Sequence, residues 1–343
     1  MTFTQLPKIE LHCHMDACMR VETAAAIARE LHFPVPEPLR DALVAPEFCG
    51  DLADYLTRIE LAVQLMQHPE HLYRVAHELV ATFAADGIIY GEVRFAPQLH
   101  LRKGLSLQQV LDVVHSGLAA AGKEYAIGTG LILCCLRHQP LALSLDVVKL
   151  ALANRDKVCA VDLAGDEARY SGLTHAPAFK LASNAGLHVT IHAGEAAGPT
   201  SVREAFDNLF AERIGHGVRI EEDARLVEDV RARAIPLEMC PKSNVQTRAA
   251  SSLATHPVSR LLRDGVRVTV NTDCRTTSDT SISAEFDLLQ RVHGWDLPEF
   301  WQCQRNAAEA VFAPESTRAD LLRRIGEAEA AFPVSMARST APD

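Results

Sequence analysis

The feature that most constrains the fold is a series of eight short apolar runs with helix-like segments between them. Such alternation is typical of repeated βα units built around a parallel sheet. Eight units are the number that closes a barrel, so the sequence predicts a (β/α)8 TIM barrel of the α/β class. The predicted strands are residues 7–14, 88–95, 126–135, 158–164, 188–193, 213–217, 235–240 and 267–272.

The helix-like segments and two long insertions complete this prediction. Residues 106–121, 177–184, 220–233 and 256–263 have helical spacing, and several begin with Ser, Pro or Asp in capping positions. Roughly 70 residues separate the first two strands, and we expect the helical stretches there (26–33, 51–66 and 71–85) to roof the barrel mouth. The tail after Ser281 predicts the last barrel helix and one or two more. Without a Gly/Ser linker or an internal repeat, we expect one catalytic domain over residues 1–343.

Composition excludes several classes of partner. The net charge of -10 argues against nucleic acid and suits a small neutral or cationic molecule. The N-terminus lacks the pattern of a secretion signal and no apolar run approaches the ~18 residues of a membrane span, so we expect a cytoplasmic protein. The nine cysteines contain no CxxC pair, which indicates reduced thiols. No pattern in the sequence indicates an oligomeric state.

Histidines and an aspartate follow the predicted strands at one end of the barrel. His12 and His14 share a face of the first strand because side chains alternate along a strand. His192, His216 and Asp273 end the fifth, sixth and eighth strands. Barrel enzymes assemble their sites at these carboxyl ends. Imidazoles with a carboxylate predict a metal, and this donor set favours zinc over iron or manganese.

A second signal follows the fifth strand, in the run His192-Ala193-Gly194-Glu195. The glycine permits a tight turn that swings the Glu195 carboxyl group toward the centre of the barrel end. Burial in a partly apolar pocket favours the protonated form of a glutamate, as a general acid requires near neutral pH. Glu195 is therefore the candidate proton donor.

Six segments in this order resemble the signature of adenosine deaminases within the amidohydrolase superfamily: PKIELHCHMDACMR, VDLAGDE, TIHAGE, RIGHG, CPKSNVQT and NTDCR, over residues 7–285. The resemblance implies one Zn²⁺ per chain bound by His12, His14, His192 and Asp273, with residues 158–164 offering no lysine for a second metal. It also implies that zinc lowers the pKa of bound water to about 7. Hydroxide would then attack purine carbon 6, with Asp273 and His216 handling the proton and Glu195 protonating nitrogen 1.

The resemblance also implies substrate contacts. Asp16 would bind the ribose 5′-hydroxyl, which favours a nucleoside over a free base, and the backbone of Gly165 would bind the purine ring. We place His14 and Cys274 among the substrate contacts as well. The expected activity is conversion of adenosine or deoxyadenosine to inosine or deoxyinosine plus ammonia.

Two residues depart from the family pattern. Ala17 replaces a glycine that lets the chain pass close to the substrate. Cys274 stands where the resemblance implies an aspartate or asparagine that binds purine nitrogen 7. A thiol is a weak hydrogen-bonding group. Two readings stay open here: a neighbour (Arg275, Thr276 or Asp279) replaces the contact, or the substrate is a different aminopurine.

Three alternatives to adenosine deamination follow. The first is deamination of adenine or of an N6-substituted or 5′-modified adenosine. The second is hydrolysis of an amide or cyclic imide, which a two-metal site would suggest. The third is a metal-binding barrel without catalytic activity, against which Glu195 and His216 argue.

Overall fold

The eight expected strands are present in a computed structural model, which describes residues 3–332. All of them are parallel, and each pairs with the next in chain order. Their bounds are β1 (Lys8–His14), β2 (Ile88–Phe95), β3 (Gly128–Leu136), β4 (Ala160–Ala164), β5 (His188–Ala193), β6 (Arg213–His216), β7 (Leu237–Met239) and β8 (Val268–Val270). The predicted barrel is confirmed. The last two strands are shorter than expected at both ends.

The barrel closes where β8 meets β1. The two strands join through a bridge between Cys13 and Asp273. The Asp273 amide donates to the His12 carbonyl oxygen at 2.8 Å, and the His14 amide donates to the Asp273 carbonyl oxygen at 2.7 Å. The junction between the first and last strands therefore lies among the candidate metal ligands.

Fifteen α-helices accompany the strands among residues 3–332. Side-chain caps fix several starts, including a capping box between Ser106 and Gln109. The helices are α1 (Val21–Glu30), α2 (Leu39–Leu43), α3 (Leu52–Leu56), α4 (Glu60–Leu65), α5 (Pro69–Ala85), α6 (Leu107–Tyr125), α7 (Leu141–Ala153), α8 (Ala176–Asn184), α9 (Pro199–Asn208), α10 (Ala224–Ala232), α11 (Pro241–Gln246), α12 (Val258–Arg263), α13 (Ile282–His293), α14 (Leu297–Ala310) and α15 (Glu315–Ala331). No helix in this described part of the chain combines the length and apolar character needed to cross a membrane.

The two insertions differ in how well they were predicted. In the first, α3 and α4 line the cavity at the barrel mouth, as expected. The expectation was wrong for α5, which packs outside the barrel against β2 and α6 and serves as an ordinary barrel helix. In the tail, α14 packs against β8 and β1, the last and first strands of the barrel.

Residues 39–65, called the lid segment below, are tied to the loops that follow β7 and β8. The Ala45 amide donates to the Thr277 carbonyl oxygen at 2.8 Å. The Cys49 amide donates to the Gln246 carbonyl oxygen at 3.0 Å. The Gln246 side chain donates back to the Ala45 carbonyl oxygen. Backbone hydrogen bonds thus hold the lid segment over the barrel end.

An ionic network fills the barrel interior. Arg94 donates to Asp162 at 3.1 Å and to Glu238 at 2.7 Å, and Arg213 donates to Glu238 and Glu92 at 2.6 Å each. These five side chains are buried. Isolated charges would be costly there, but each carboxylate faces at least one guanidinium group.

We predict that Arg213→Met destabilises the fold by about 3–5 kcal/mol, because it leaves Glu92 without its guanidinium partner and Glu238 with one fewer. Urea unfolding would measure this. Arg231→Met is the matched control, because Arg231 pairs with Glu228 on the exposed surface, where ion pairs contribute little. Equal stability of the two variants would contradict the importance of the network.

Candidate active site

The barrel end brings together all of the residues that the sequence singled out there. The ligand atoms of His12, His14, His192 and Asp273 lie within 4.8 Å of one another. His12 and His14 end β1 and His192 belongs to β5, while Asp273 follows β8. Three segments that are distant in sequence therefore present two kinds of ligand atom to one point.

The unused ring atoms in this cluster fit a metal ion. The Nε2 atom of His12 is buried and has no hydrogen-bond partner within residues 3–332. The Nε2 atoms of His14 and His192 lie 3.0 Å apart, near the separation of about 3.3 Å for two nitrogens bound to tetrahedral zinc. Oδ1 of Asp273 lies 3.4 Å from Nε2 of His12 and 3.5 Å from that of His14. These donors suit a divalent cation such as Zn²⁺.

Carboxylates behind the histidines fix the ring nitrogen that faces the cluster. Nδ1 of His12 lies 2.8 Å from Glu238, and Nδ1 of His192 lies 3.0 Å from Asp162. A protonated Nδ1 that donates to a carboxylate leaves Nε2 as a lone-pair donor for a metal. Burial also lowers the pKa of His14 and His192, which favours the neutral imidazole that binds metals.

The turn that carries Glu195 is held by a second carboxylate. Glu167 accepts hydrogen bonds of 2.7–3.0 Å from the backbone amides of Gly194, Glu195, Ala196 and Ala197. Gly194 has a φ of 71°, and a Cβ atom there would lie 2.6 Å from the Val202 side chain. The turn therefore requires glycine, and its amides are all aimed at one anion.

Glu195 is buried at the cavity floor. Burial and the charges of Asp273 and Glu167 raise its pKa well above the ordinary glutamate value. Its Oε1 atom has no hydrogen-bond partner among the described residues. The arrangement favours a protonated carboxyl group with one oxygen available to a ligand.

His216 lies beside Glu195 with a defined orientation. Its φ of 63° is unusual for a residue other than glycine and turns the ring into the barrel end. The side-chain oxygen of Asn244 accepts from the Cys240 amide and lies 3.1 Å from His256. The NH2 group of Asn244 therefore faces His216 and donates to its Nδ1 atom at 3.0 Å. The His216 proton then resides on Nε2, which lies 3.6 Å from Glu195.

Asp273 also has a left-handed backbone, with a φ of 59°. Burial acts to raise its pKa, but the adjacent imidazoles of His12, His216 and His14 hold it well below the ordinary aspartate value. The Ser243 hydroxyl donates to Oδ2 at 2.6 Å. Asp273 is therefore an anion with Oδ1 directed at the ligand cluster.

A cavity of about 470 Å³ opens above these groups, a volume suited to a small molecule. Asp16, Gly165, His14 and Cys274, the four expected substrate contacts, all line it. Its opposite wall is largely apolar and is contributed by the lid segment and by the loops after β2 and β3. The apolar wall residues include Leu52, Leu56, Ile59, Val63, Leu99 and Leu136.

The Asp16 carboxylate is rigidly placed. His100 contacts Oδ1 at 2.8 Å, and the Ala96 amide donates to Oδ2 at 2.9 Å. Each carboxylate oxygen keeps a second lone pair that can accept from a ligand hydroxyl. The neighbouring Ala17 is buried in an apolar cluster with Cys274, so its methyl group packs against protein.

The three suggested replacements for Cys274 are not among the residues that line the cavity. Arg275 pairs with Asp86 at 3.1 Å, away from the barrel mouth. Asp279 pairs with Arg40 on the exposed surface. The substitution at position 274 is thus not compensated by its sequence neighbours.

Several functional positions escaped the sequence analysis. Glu167 lies in the LAGDE run, where the resemblance implies a role only for Gly165. The spacing between Glu167 and Glu195 does not indicate that the two residues meet. Asp162 and Glu238 alternate with apolar residues on buried strands, which could have marked them as inward-facing. Cys240 also lies near His12 and His216, where the three ligand atoms are within 4.8 Å.

The barrel, the cluster of ligand atoms and the buried carboxyl group beside it define the class of metal-dependent hydrolases. The adenosine deaminase family model matches residues 7–328. The adenosine deaminase of Clostridium botulinum (strain Okra / Type B1) is 40% identical over 324 residues, which are 93% of this chain and 96% of that protein. The chain belongs to the adenosine deaminase family and is a hydrolytic deaminase.

Solved structures agree with this placement. The adenine deaminase of Arthrobacter aurescens has a TM-score of 0.88 and is 28% identical, with 94% of this chain and 98% of that chain covered. The N6-methyl-AMP deaminase of Arabidopsis thaliana has a TM-score of 0.85 and 26% identity, with coverage of 96% and 98%. The fold thus occurs in deaminases of several aminopurines.

We predict that Asp162→Asn weakens zinc binding about 10–100-fold, because His192 loses the anion that fixes its ring. Competition with a chromogenic chelator would measure the dissociation constant. Asp112→Asn serves as the control, since Asp112 pairs with Lys157 outside the barrel. Unchanged affinity in Asp162→Asn would show that the carboxylate does not support the ligand.

We predict that Glu167→Gln lowers kcat about 10–100-fold while metal content stays constant, since misplacement of a reacting group by about 1 Å is costly. The glutamine side chain has one acceptor oxygen, whereas the four backbone amides now donate to the two carboxylate oxygens of Glu167. Glu222→Gln, which alters an exposed partner of Arg219, is the control. Loss of metal together with rate would argue for a wider structural effect.

Proposed function

We propose that this chain deaminates adenosine and deoxyadenosine, using one Zn²⁺ per chain. The observation that carries the proposal is the position of Glu195, a buried carboxyl group beside the ligand cluster on the floor of the cavity. The 40% identity to an adenosine deaminase supports the substrate. We further propose that residues 1–343 form one catalytic domain, although residues 333–343 lie outside the described part of the chain.

In this proposal His12, His14, His192 and Asp273 hold the metal. Bound zinc acts as a Lewis acid that makes water a nucleophile at neutral pH. Asp273, an anion with a free Oδ1 lone pair, accepts the proton that the attacking water loses. This assignment gives a partner to the Nε2 atom of His12, which has no hydrogen-bond partner within residues 3–332.

Glu195 and His216 act on the purine. Protonated Glu195 donates to nitrogen 1, which draws electrons from carbon 6 and favours attack there. Nε2–H of His216 then donates to the oxygen that adds to carbon 6, because Asn244 has fixed the proton on that nitrogen. His216 thus acts as a hydrogen-bond donor, and Asp273 serves as the base. The proton taken up by Asp273 passes to the 6-amino group, which leaves as ammonia when its bond to carbon 6 breaks.

The remaining contacts favour a nucleoside. Asp16 accepts from the ribose 5′-hydroxyl, and the Gly165 backbone borders the base. A carboxylate at this position repels the phosphate of a nucleotide. The lid segment covers the cavity and limits the access of bulk water.

The test is ammonia release by zinc-loaded protein against adenosine, deoxyadenosine, adenine, N6-methyladenosine, 5′-modified adenosines and AMP, with metal content determined on the same sample. We expect adenosine and deoxyadenosine to be the best substrates, with one zinc per chain. Preference for adenine or an N6-substituted substrate would overturn the substrate assignment and leave the family intact.

We predict that Glu195→Gln retains zinc but lowers kcat for adenosine about 100-fold or more, because the amide cannot supply the proton. Steady-state kinetics and metal analysis of one preparation would check this. Glu327→Gln, a change at an exposed residue paired with Arg323, should leave both quantities unchanged. Zinc loss in Glu195→Gln would contradict its assignment as proton donor.

A further inference from the structure

Tyr55 reaches the cavity from helix α3 of the lid segment. It lines the cavity together with Cys274 and Asp273, and only 1% of its surface is exposed. Tyr55 and Cys274 belong to one apolar cluster beneath the lid segment. A phenolic hydroxyl group is therefore buried next to the thiol whose sequence neighbours offer no replacement contact.

A buried serine hydroxyl group is the hydrogen-bond partner of Tyr55, and either of the two can donate. Oη of Tyr55 and Oγ of Ser278 lie 2.7 Å apart. Ser278 is fully buried, and Tyr55 is the one side-chain partner of its hydroxyl group among residues 3–332. A buried hydroxyl proton without an acceptor is costly. When an acceptor in the cavity takes the Tyr55 proton, Ser278 can donate to Tyr55, and both hydroxyl protons are then satisfied.

Two acceptors compete for that proton: the thiol sulfur of Cys274 and an atom of a ligand in the cavity. The sulfur of a thiol is a weak acceptor. An aromatic ring nitrogen is the better partner.

The chemistry of the purine identifies that nitrogen. Carbon 6 is flanked by nitrogen 1 on one side and by the edge that carries nitrogen 7 on the other. Glu195 follows β5, whereas Cys274 follows β8, three strands further around the barrel. When Glu195 meets nitrogen 1, the wall formed by Tyr55 and Cys274 faces the edge with nitrogen 7.

We propose that the Tyr55 hydroxyl group, positioned by Ser278, determines base specificity by donating a hydrogen bond to purine nitrogen 7. The inference rests on the proposed function, because it takes the orientation of the base from Glu195. In this proposal the lid segment supplies the polar contact with nitrogen 7, and Cys274 does not. Cys274 then serves as packing for the Tyr55 ring.

The experiment measures inhibition constants against adenosine for two analogues on zinc-loaded protein. The first, 1-deazaadenosine, retains nitrogen 7, while 7-deazaadenosine has a C–H group in its place. Tyr55→Phe keeps the ring and removes the hydroxyl group. We expect it to weaken 1-deazaadenosine about 10-fold, the effect of one buried hydrogen bond, and to change 7-deazaadenosine less than about twofold. Tyr90→Phe, at a buried tyrosine outside the cavity, should change neither.

A rescue variant guards against an indirect effect of the substitution. Cys274→Asn supplies an amide donor at the same wall, so in the Tyr55→Phe background it should restore the affinity for 1-deazaadenosine. Equal weakening of both analogues by Tyr55→Phe, or no weakening of either, would overturn the proposal. Failure of the unmodified protein to release ammonia from adenosine would instead overturn the proposed function, a result that the same assay reports separately.

Discussion

The active site depends on the ionic network inside the barrel. Arg94 holds Asp162 and Glu238 in their charged forms, and these carboxylates fix the rings of His192 and His12. A continuous chain of charged contacts therefore connects the barrel interior to the ligand atoms. Because a buried carboxylate without a guanidinium partner would favour protonation, the orientation of each histidine requires the interior charge balance to be intact.

Periodicity predicted the architecture but not the function of every element. The runs at residues 88–95 and 188–193 coincide with β2 and β5, because short runs rich in apolar and β-branched residues between helical segments are typical of barrel strands. Helix α5 has the same amphipathic pattern as a roof helix, and only its packing against β2 and α6 shows which it is. The sequence predicts that a segment is an amphipathic helix, but the surface against which its apolar face packs is determined by the tertiary structure.

The candidate site was predictable where strand ends carry it. His12, His14, His192 and Asp273 converge because a parallel barrel places all its carboxyl ends on one rim. Glu167 and Asn244 were not predictable in the same way, since each acts through a contact made by folding: one with four backbone amides, the other with a single ring nitrogen. Tyr55 belongs with them, because only the lid segment brings its hydroxyl group to Ser278.

The junction between β8 and β1 gives the metal a second effect. Its two backbone hydrogen bonds involve His12, His14 and Asp273, three of the four candidate ligands. An ion held by these side chains and by His192 would link the first, fifth and last strands. Ligand binding to the native state adds its free energy to stability in proportion to the logarithm of free concentration. Resistance of the barrel to heat would then rise with the free concentration of the metal, so the ion would act as a fastener of the barrel as well as a reagent.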